Sequence, residues 1–283
     1  MRRLVPIEAR ELTAGVWLWQ RRPKRLRARR LGPAKLDAFL LTDRAAVRRH
    51  PVAYQRALIA HLQAEQLAVV LEELEVNVVL DVGANRGQFA QLLRRIGYTG
   101  RIVSYEPVST NLVQLRAAAS SDPQWLVESF ALGDVEGTAE INVSPGAANL
   151  SSLLPSTAFG RERFANLRGE VSATETIQVR RLDAVFDRAV RGVDVPRVFL
   201  KLDTQGYDLV ALAGAGECAD DVVALQSEVS CIPIYDGMPH LTEQIAAYEE
   251  AGFTVAGMYP VSRDRSGLAV IEFDMLAVRR HSR

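Results

Sequence analysis

The chain has 283 residues, enough to bury a full-sized core without disulfide or metal staples. Its 34 basic and 34 acidic residues cancel, so no overall field gathers nucleic acid or an anionic membrane surface. An apolar share of 48% with 24% charged residues excludes the disordered and fibrous classes.

The charge balance hides an asymmetry in the first 50 residues, where arginines crowd between Arg21 and Arg30 and Pro23, Gly32 and Pro33 interrupt any long helix. This segment is expected to be a basic appendage, a helical and solvated N-terminal extension, ahead of a catalytic domain over 51–283. Leu12 to Trp19 is too short for a membrane span and is followed by no cleavage pattern, so no transmembrane segment is expected and the cytoplasm is the expected compartment. Cys218 and Cys231 cannot form a disulfide framework, which agrees with a reducing compartment.

From Tyr54 to Leu74, apolar residues recur at helical spacing, with Leu58, Ile59, Leu62, Leu67, Val70, Leu71 and Leu74 on the expected buried stripe. Short apolar runs then alternate with amphipathic stretches. Strands are predicted at Val76–Val82, Gly100–Tyr105 and Trp125–Ala131, with helices at Gln88–Ile96 and Asn111–Ala119. A second set follows: strands Val198–Leu202 and Val222–Val229, helices Tyr207–Ala213 and Leu241–Glu250. Such alternation predicts βαβ units around a mostly parallel, doubly wound sheet. Phe253–Tyr259 and Leu268–Val278 predict a closing hairpin. Between the halves, Thr138–Val143 and Thr176–Leu182 predict strands flanking a turn-rich segment, Ser144–Ser156, expected to cover the active site.

The segment Val79 to Phe89 carries the strongest chemical signal: an apolar strand ends in Asp81, crosses Gly83, Ala84, Asn85 and Gly87, and enters a helix. The glycines let a ligand approach the backbone. Their spacing is not the G-x-G-x-x-G that receives a pyrophosphate, and a carboxylate beside the turn suits a cationic amino-acid end instead. S-adenosylmethionine has such an end and no phosphates. Glu106 closes the next strand, 23 residues after Gly83, where it can accept hydrogen bonds from both ribose hydroxyls. Ala131 and Leu132, after the third strand, are candidates for an adenine wall.

In the fourth strand, Lys201 and Asp203 alternate and so share one face, with Asp203 at the carboxyl end where open α/β sheets gather ligands. Glu228 ends the fifth strand. Two carboxylates there could share acid/base work, bind substrate hydroxyls or hold a divalent cation, and the sequence does not choose among these. His240 is a candidate base in the following loop. Tyr235, Lys201, Ser151 and Ser152, with Asn149 in the cover, are candidate acceptor contacts.

DVGANRGQF, YEPV, ALGD, SSLLP at Ser151–Pro155, RLDAVF at Arg181–Phe186, KLDTQGYDLVALAGA, and SEVS followed by IYDG occur in an order that resembles the FkbM family of methyltransferases, from about Val78 to Arg279. The resemblance implies a class I sheet of order 3-2-1-4-5-7-6 and methyl transfer, generally to oxygen, on sugars, polyketides or related metabolites. It carries cofactor roles onto Asp81, Gly83, Asn85, Gly87 and Glu106 and places Asp203 facing the transferred methyl. The expected partner is a small-molecule or glycosylated acceptor with no stable nucleic-acid partner, and a homodimer is left open. Rival readings are a nucleic-acid methyltransferase using the basic arm, an NAD oxidoreductase, and an interaction protein that keeps the fold without catalysis.

Overall fold

The computed structural model describes the backbone of residues 7–13, 16–21, 26–31, 38–143, 151–163 and 173–280, with side chains from residue 47 onward. The chain divides into two compact units, Met1–Leu58 and Ile59–Arg283.

The first unit holds two antiparallel hairpins, β1 (Ile7–Thr13) with β2 (Val16–Arg21) and β3 (Leu26–Leu31) with β4 (Ala38–Asp43). Among the described residues the first helices are α1 (Arg44–Arg49) and α2 (Pro51–Glu73). The expected helical extension is thus corrected over 7–13, 16–21, 26–31 and 38–43: Val16-Trp17-Leu18-Trp19, for one, is rich in strand-favouring residues.

In the second unit the chain continues through β5 (Val78–Val82), α3 (Gln88–Arg95), β6 (Arg101–Tyr105), α4 (Ser109–Ala119) and β7 (Trp125–Glu128). The predicted strand Trp125–Ala131 is split. Its last sheet partner is Glu128, opposite Tyr105, and Ala131–Leu132 leaves as a separate short strand, β8, that pairs with β10 (Ala173–Arg180). β10 also pairs antiparallel with β9 (Gly137–Val143). Next come α5 (Ala158–Arg163), α6 (Leu182–Ala189), β11 (Val198–Leu202), α7 (Asp208–Ala213), β12 (Val222–Ser230), α8 (Leu241–Glu250), β13 (Phe253–Arg263) and β14 (Val270–Arg279). Residues 144–150 of the expected cover, Asn149 among them, lie outside the described residues.

The central sheet runs β7-β6-β5-β11-β12-β14-β13, which in strand-rank terms is 3-2-1-4-5-7-6. The first five strands are parallel, and β14 pairs antiparallel with both β12 and β13. Both β5 and β11 are buried at every position, as strands covered on both faces must be. Leu80, Val82, Tyr105, Leu200 and Leu202 pack with Leu182, Phe186 and Ala211 of α6 and α7 on one face. Val79, Ile102 and Phe199 pack with Leu67, Leu93 and Leu115 of α2, α3 and α4 on the other. α2 buries Ala64, Leu67, Val70 and Leu71, whereas Leu62, expected in the stripe, is 60% exposed. At 3.6 residues per turn it lies about 140° around the helix from Leu67. The sheet changes direction of winding between β5 and β11, and a crevice opens at their carboxyl ends.

Candidate active site

A cleft enclosing about 660 Å³ of space, open solvent included, occupies that crevice. Gly83, Asn85, Glu106, Ala131, Leu132, Ser151 and Asp203 line it. Gly83 is tightly fitted: its φ is +74°, and a Cβ there would lie 2.0 Å from the Asp203 carbonyl oxygen. The turn consumes its own backbone donors. The N–H groups of Gly83 and Ala84 donate to Tyr105 O, that of Asn85 to Glu106 Oε2 at 2.7 Å, that of Arg86 to Gln88 Oε1, and that of Gly87 to Ala84 O. No nest of free N–H groups is left at 83–87 for a phosphate.

Glu106 is buried and accepts further hydrogen bonds from Val108 N–H at 2.9 Å and Asn111 Nδ2 at 3.2 Å. Burial outweighs these bonds and pushes its carboxyl up to about 7. Ala131, Leu132, Val108, Ile141 and Leu153 supply an apolar wall. Asn85 Oδ1 is buried with no hydrogen-bond partner, an acceptor waiting for a ligand donor. Among the described residues the lining holds the carboxylates of Glu106 and Asp203 but no lysine or arginine. This set fits a nucleoside with a cationic tail, as S-adenosylmethionine has, and opposes a dinucleotide pyrophosphate.

Asp81, Ala84, Gly87 and Lys201 do not line the cleft; they support it. Asp81 is fully buried, accepts from Ser104 Oγ at 3.1 Å and pairs with Lys201 Nζ at 3.2 Å, so it does not meet an amino-acid tail directly. Ser104 in turn accepts from Trp125 Nε1 at 2.9 Å. Ala84 belongs to the core under α3, and Gly87, the N-cap of α3, has space for no Cβ because the Trp125 ring lies 2.7 Å from where one would be. Lys201, expected to touch the acceptor, instead donates to Gly83 O at 3.1 Å and forms ion pairs with Asp81 Oδ1 and, at 3.3 Å, with Asp203 Oδ2. Burial opposes its charge, yet Asp203 and Asp81 prevail and raise its pKa. It anchors the turn and the Asp203 carboxylate from below.

The Asp203 side chain is 42% exposed and reaches the cleft. Beside it stands Gln205, which sequence reasoning missed. Its Nε2 donates to Glu228 Oε2 at 2.8 Å and to Asp203 Oδ1 at 3.3 Å, its Oε1 accepts from Tyr235 Oη at 3.1 Å, and its backbone carbonyl accepts from Ser152 Oγ at 2.8 Å. The signal available was a long polar residue wedged between Asp203 and Gly206 in a turn. Ser152 and Tyr235 are themselves buried behind Gln205, while Ser151 lines the cleft. Asp208 holds the loop closed by accepting from Thr204 N–H at 2.8 Å, Thr204 Oγ1 and Ser227 Oγ at 2.7 Å.

Burial, reinforced by Glu272, Asp203, Asp274 and Asp208, pushes the Glu228 carboxyl well above the usual carboxylate range. Burial also lifts Glu272 to about 7 and Asp274 to about 6. The divalent cation considered for Asp203 and Glu228 does not fit this arrangement. An amide nitrogen bridges the two carboxylates, and among the described residues no three His, Cys, Asp or Glu side chains gather as metal ligands. His240 is corrected as well. It is the exposed N-cap of α8, its Nδ1 accepting from Thr242 N–H at 3.3 Å while Glu243 Oε2 accepts from the His240 N–H at 2.8 Å, and it does not line the cleft.

Over residues 81–254 the sequence matches the methyltransferase FkbM domain. The chain belongs to the FkbM methyltransferase family. It is an S-adenosylmethionine-dependent methyltransferase. Among characterised relatives, this FkbM-family chain is similar to the 31-O-demethyl-FK506 methyltransferase FkbM of Streptomyces tacrolimicus, 28% identical over 199 residues, 63% of this chain and 73% of that protein. Solved structures with partial likeness include Aeropyrum pernix fibrillarin with natively bound S-adenosyl-L-methionine (TM-score 0.41, 13% identity, 71% of this chain and 66% of that one). The magnesium protoporphyrin IX methyltransferase ChlM of Synechocystis PCC 6803 is another (TM-score 0.41, 12% identity, 80% and 83%). Among the described residues no helix is long and apolar enough to cross a membrane.

Proposed function

We propose that this FkbM-family enzyme methylates a hydroxyl oxygen on a sugar, polyketide or related small metabolite of secondary metabolism, in the cytoplasm, through a catalytic domain over 51–283 preceded by a basic appendage at 1–50. The observation that carries the reading is the Asp203 carboxylate: half-exposed in the cleft, fixed from below by Lys201 and from the side by Gln205. S-adenosylmethionine supplies the activated methyl group, and the protein's task is to align the acceptor with it and exclude water. Glu106 and Asn85 hold the ribose side, the apolar wall holds adenine, and Asp203 accepts the proton that the acceptor hydroxyl loses. Glu228, joined to Asp203 through the Gln205 amide, serves as its partner rather than as the base. The named substrate of the Streptomyces tacrolimicus relative supports a hydroxylated polyketide-like acceptor.

The test is tritiated methyl transfer from S-adenosylmethionine to a panel of 31-O-demethyl-FK506, methyl glycosides and hydroxylated macrolides, with wild type and Asp203→Asn. Turnover on at least one hydroxyl compound, reduced about 100-fold or more in Asp203→Asn while S-adenosylhomocysteine still binds, supports the reading. Near-normal turnover in Asp203→Asn would overturn the base assignment, and transfer to nucleic acid alone would overturn the acceptor class.

A further inference from the structure

Gln205 adopts φ +56°, a left-handed backbone that side-chain-bearing residues seldom take. Four contacts hold it there: Ser152 Oγ on its carbonyl, Tyr235 Oη on its Oε1, and Glu228 and Asp203 on its two amide protons. A neutral side chain has thereby been placed between two carboxylates whose strands, β11 and β12, are neighbours in the sheet. Left alone, those carboxylates would repel each other and turn apart. The amide gives each one a proton and fixes the spacing, and the elements carrying Ser152 and Tyr235 fix the amide.

We propose that Gln205 is a positioning residue for methyl transfer: it sets the orientation of the Asp203 and Glu228 carboxylates and ties that orientation to the Ser152 and Tyr235 segments beside the cleft. The inference rests on Asp203 being the proton acceptor. Gln205 touches no reacting atom in this role. It acts through Asp203, so its loss lowers turnover and leaves cofactor binding intact.

Gln205→Asn separates these effects, because asparagine tolerates the left-handed backbone but is one methylene too short to bridge both carboxylates. Gln205→Glu keeps length and the Tyr235 contact and removes both donors. In protein labelled with 15N at glutamine side chains, the Gln205 amide pair, assigned by its loss in Gln205→Asn, shifts on Glu228→Gln and on Asp203→Asn. With the best acceptor of the panel above, Gln205→Asn and Gln205→Glu lower kcat about 10-fold to 100-fold while the S-adenosylhomocysteine Kd stays within threefold. The Gln205→Asn and Glu228→Gln losses are less than multiplicative in the double variant. A Gln205 signal indifferent to both carboxylate substitutions overturns the proposal, as does a loss confined to cofactor affinity. Full turnover in Asp203→Asn instead removes the base assignment beneath it, with the amide signals then reporting the bridge alone.

Discussion

Lys201 Nζ lies 3.2 Å from Asp81 Oδ1 across the β5–β11 pair, where the two residues are in register and shut off from water. An isolated charge at either position would cost several kcal/mol, because neither has solvent to turn to. Lys201→Met therefore destabilises the fold by about 3–5 kcal/mol in urea unfolding, the cost of leaving Asp81 uncompensated. Adding Asp81→Asn removes the stranded charge and recovers more than half of that loss. A Lys201→Met protein within about 1 kcal/mol of wild type would show that the pair carries little of the fold's stability.

The same pair shows what the sequence disclosed and what it hid. Alternation in β11 placed Lys201 and Asp203 on one face, and that is where they are. The alternation gave no depth. Lys201 points beneath the glycine turn, and only the register Lys201↔Asp81↔Ser104 across three strands reveals that its charge is paired there. The glycine turn and Glu106 were legible because each is a local pattern at a strand end. Gln205 was not, since its partners Ser152, Glu228 and Tyr235 come from segments that meet only in the folded chain. His240 misled for the opposite reason: its real partners, Thr242 and Glu243, are two and three residues away, in a capping box whose usual serine or threonine is replaced by histidine.

That cap gives a clean separation of roles. His240→Ala removes an N-cap acceptor and should lower stability by about 1 kcal/mol, while His240→Asn or His240→Ser restores it. Turnover per folded molecule stays at the wild-type level in all three. A tenfold fall in kcat with unchanged thermal stability would return His240 to the active site.

Gly83 and Gly97 both have positive φ, +74° and +93°, but differ in surroundings. Alanine at Gly97 meets nothing within 4 Å, so Gly97→Ala costs only the backbone strain, about 1–2 kcal/mol. Alanine at Gly83 carries the same strain and also collides with the Asp203 carbonyl, which must move and take the Asp203 carboxylate with it. Overpacking adds about 1–3 kcal/mol. Gly83→Ala should therefore melt lower than Gly97→Ala and lose S-adenosylhomocysteine binding, which Gly97→Ala retains. Equal melting temperatures and affinities would mean that the turn yields easily and that its close approach to β11 does not shape the site.

Glu106 makes the cofactor site sensitive to pH in a direction that can be worked out. In the free protein, burial raises its carboxyl from 4.5 to about 7. A raised folded value means that the protonated, folded form is favoured. Its contribution to stability is thus fully present below about 4.5 and is lost as pH rises through about 7. Cofactor binding runs the other way. Two ribose hydroxyls donate best to an ionised carboxylate, so S-adenosylhomocysteine affinity falls by up to about tenfold per pH unit below 7 and levels off above it. Glu106→Gln removes the titrating group: its affinity is about 10- to 100-fold weaker at pH 8, and the pH dependence of both stability and binding flattens. Calorimetric titration from pH 5.5 to 8.5, paired with thermal melts of the free protein, reads both slopes. A wild-type affinity that does not change across this range would place the ribose hydroxyls on some other acceptor, with Asn85 Oδ1 the nearest candidate in the cleft.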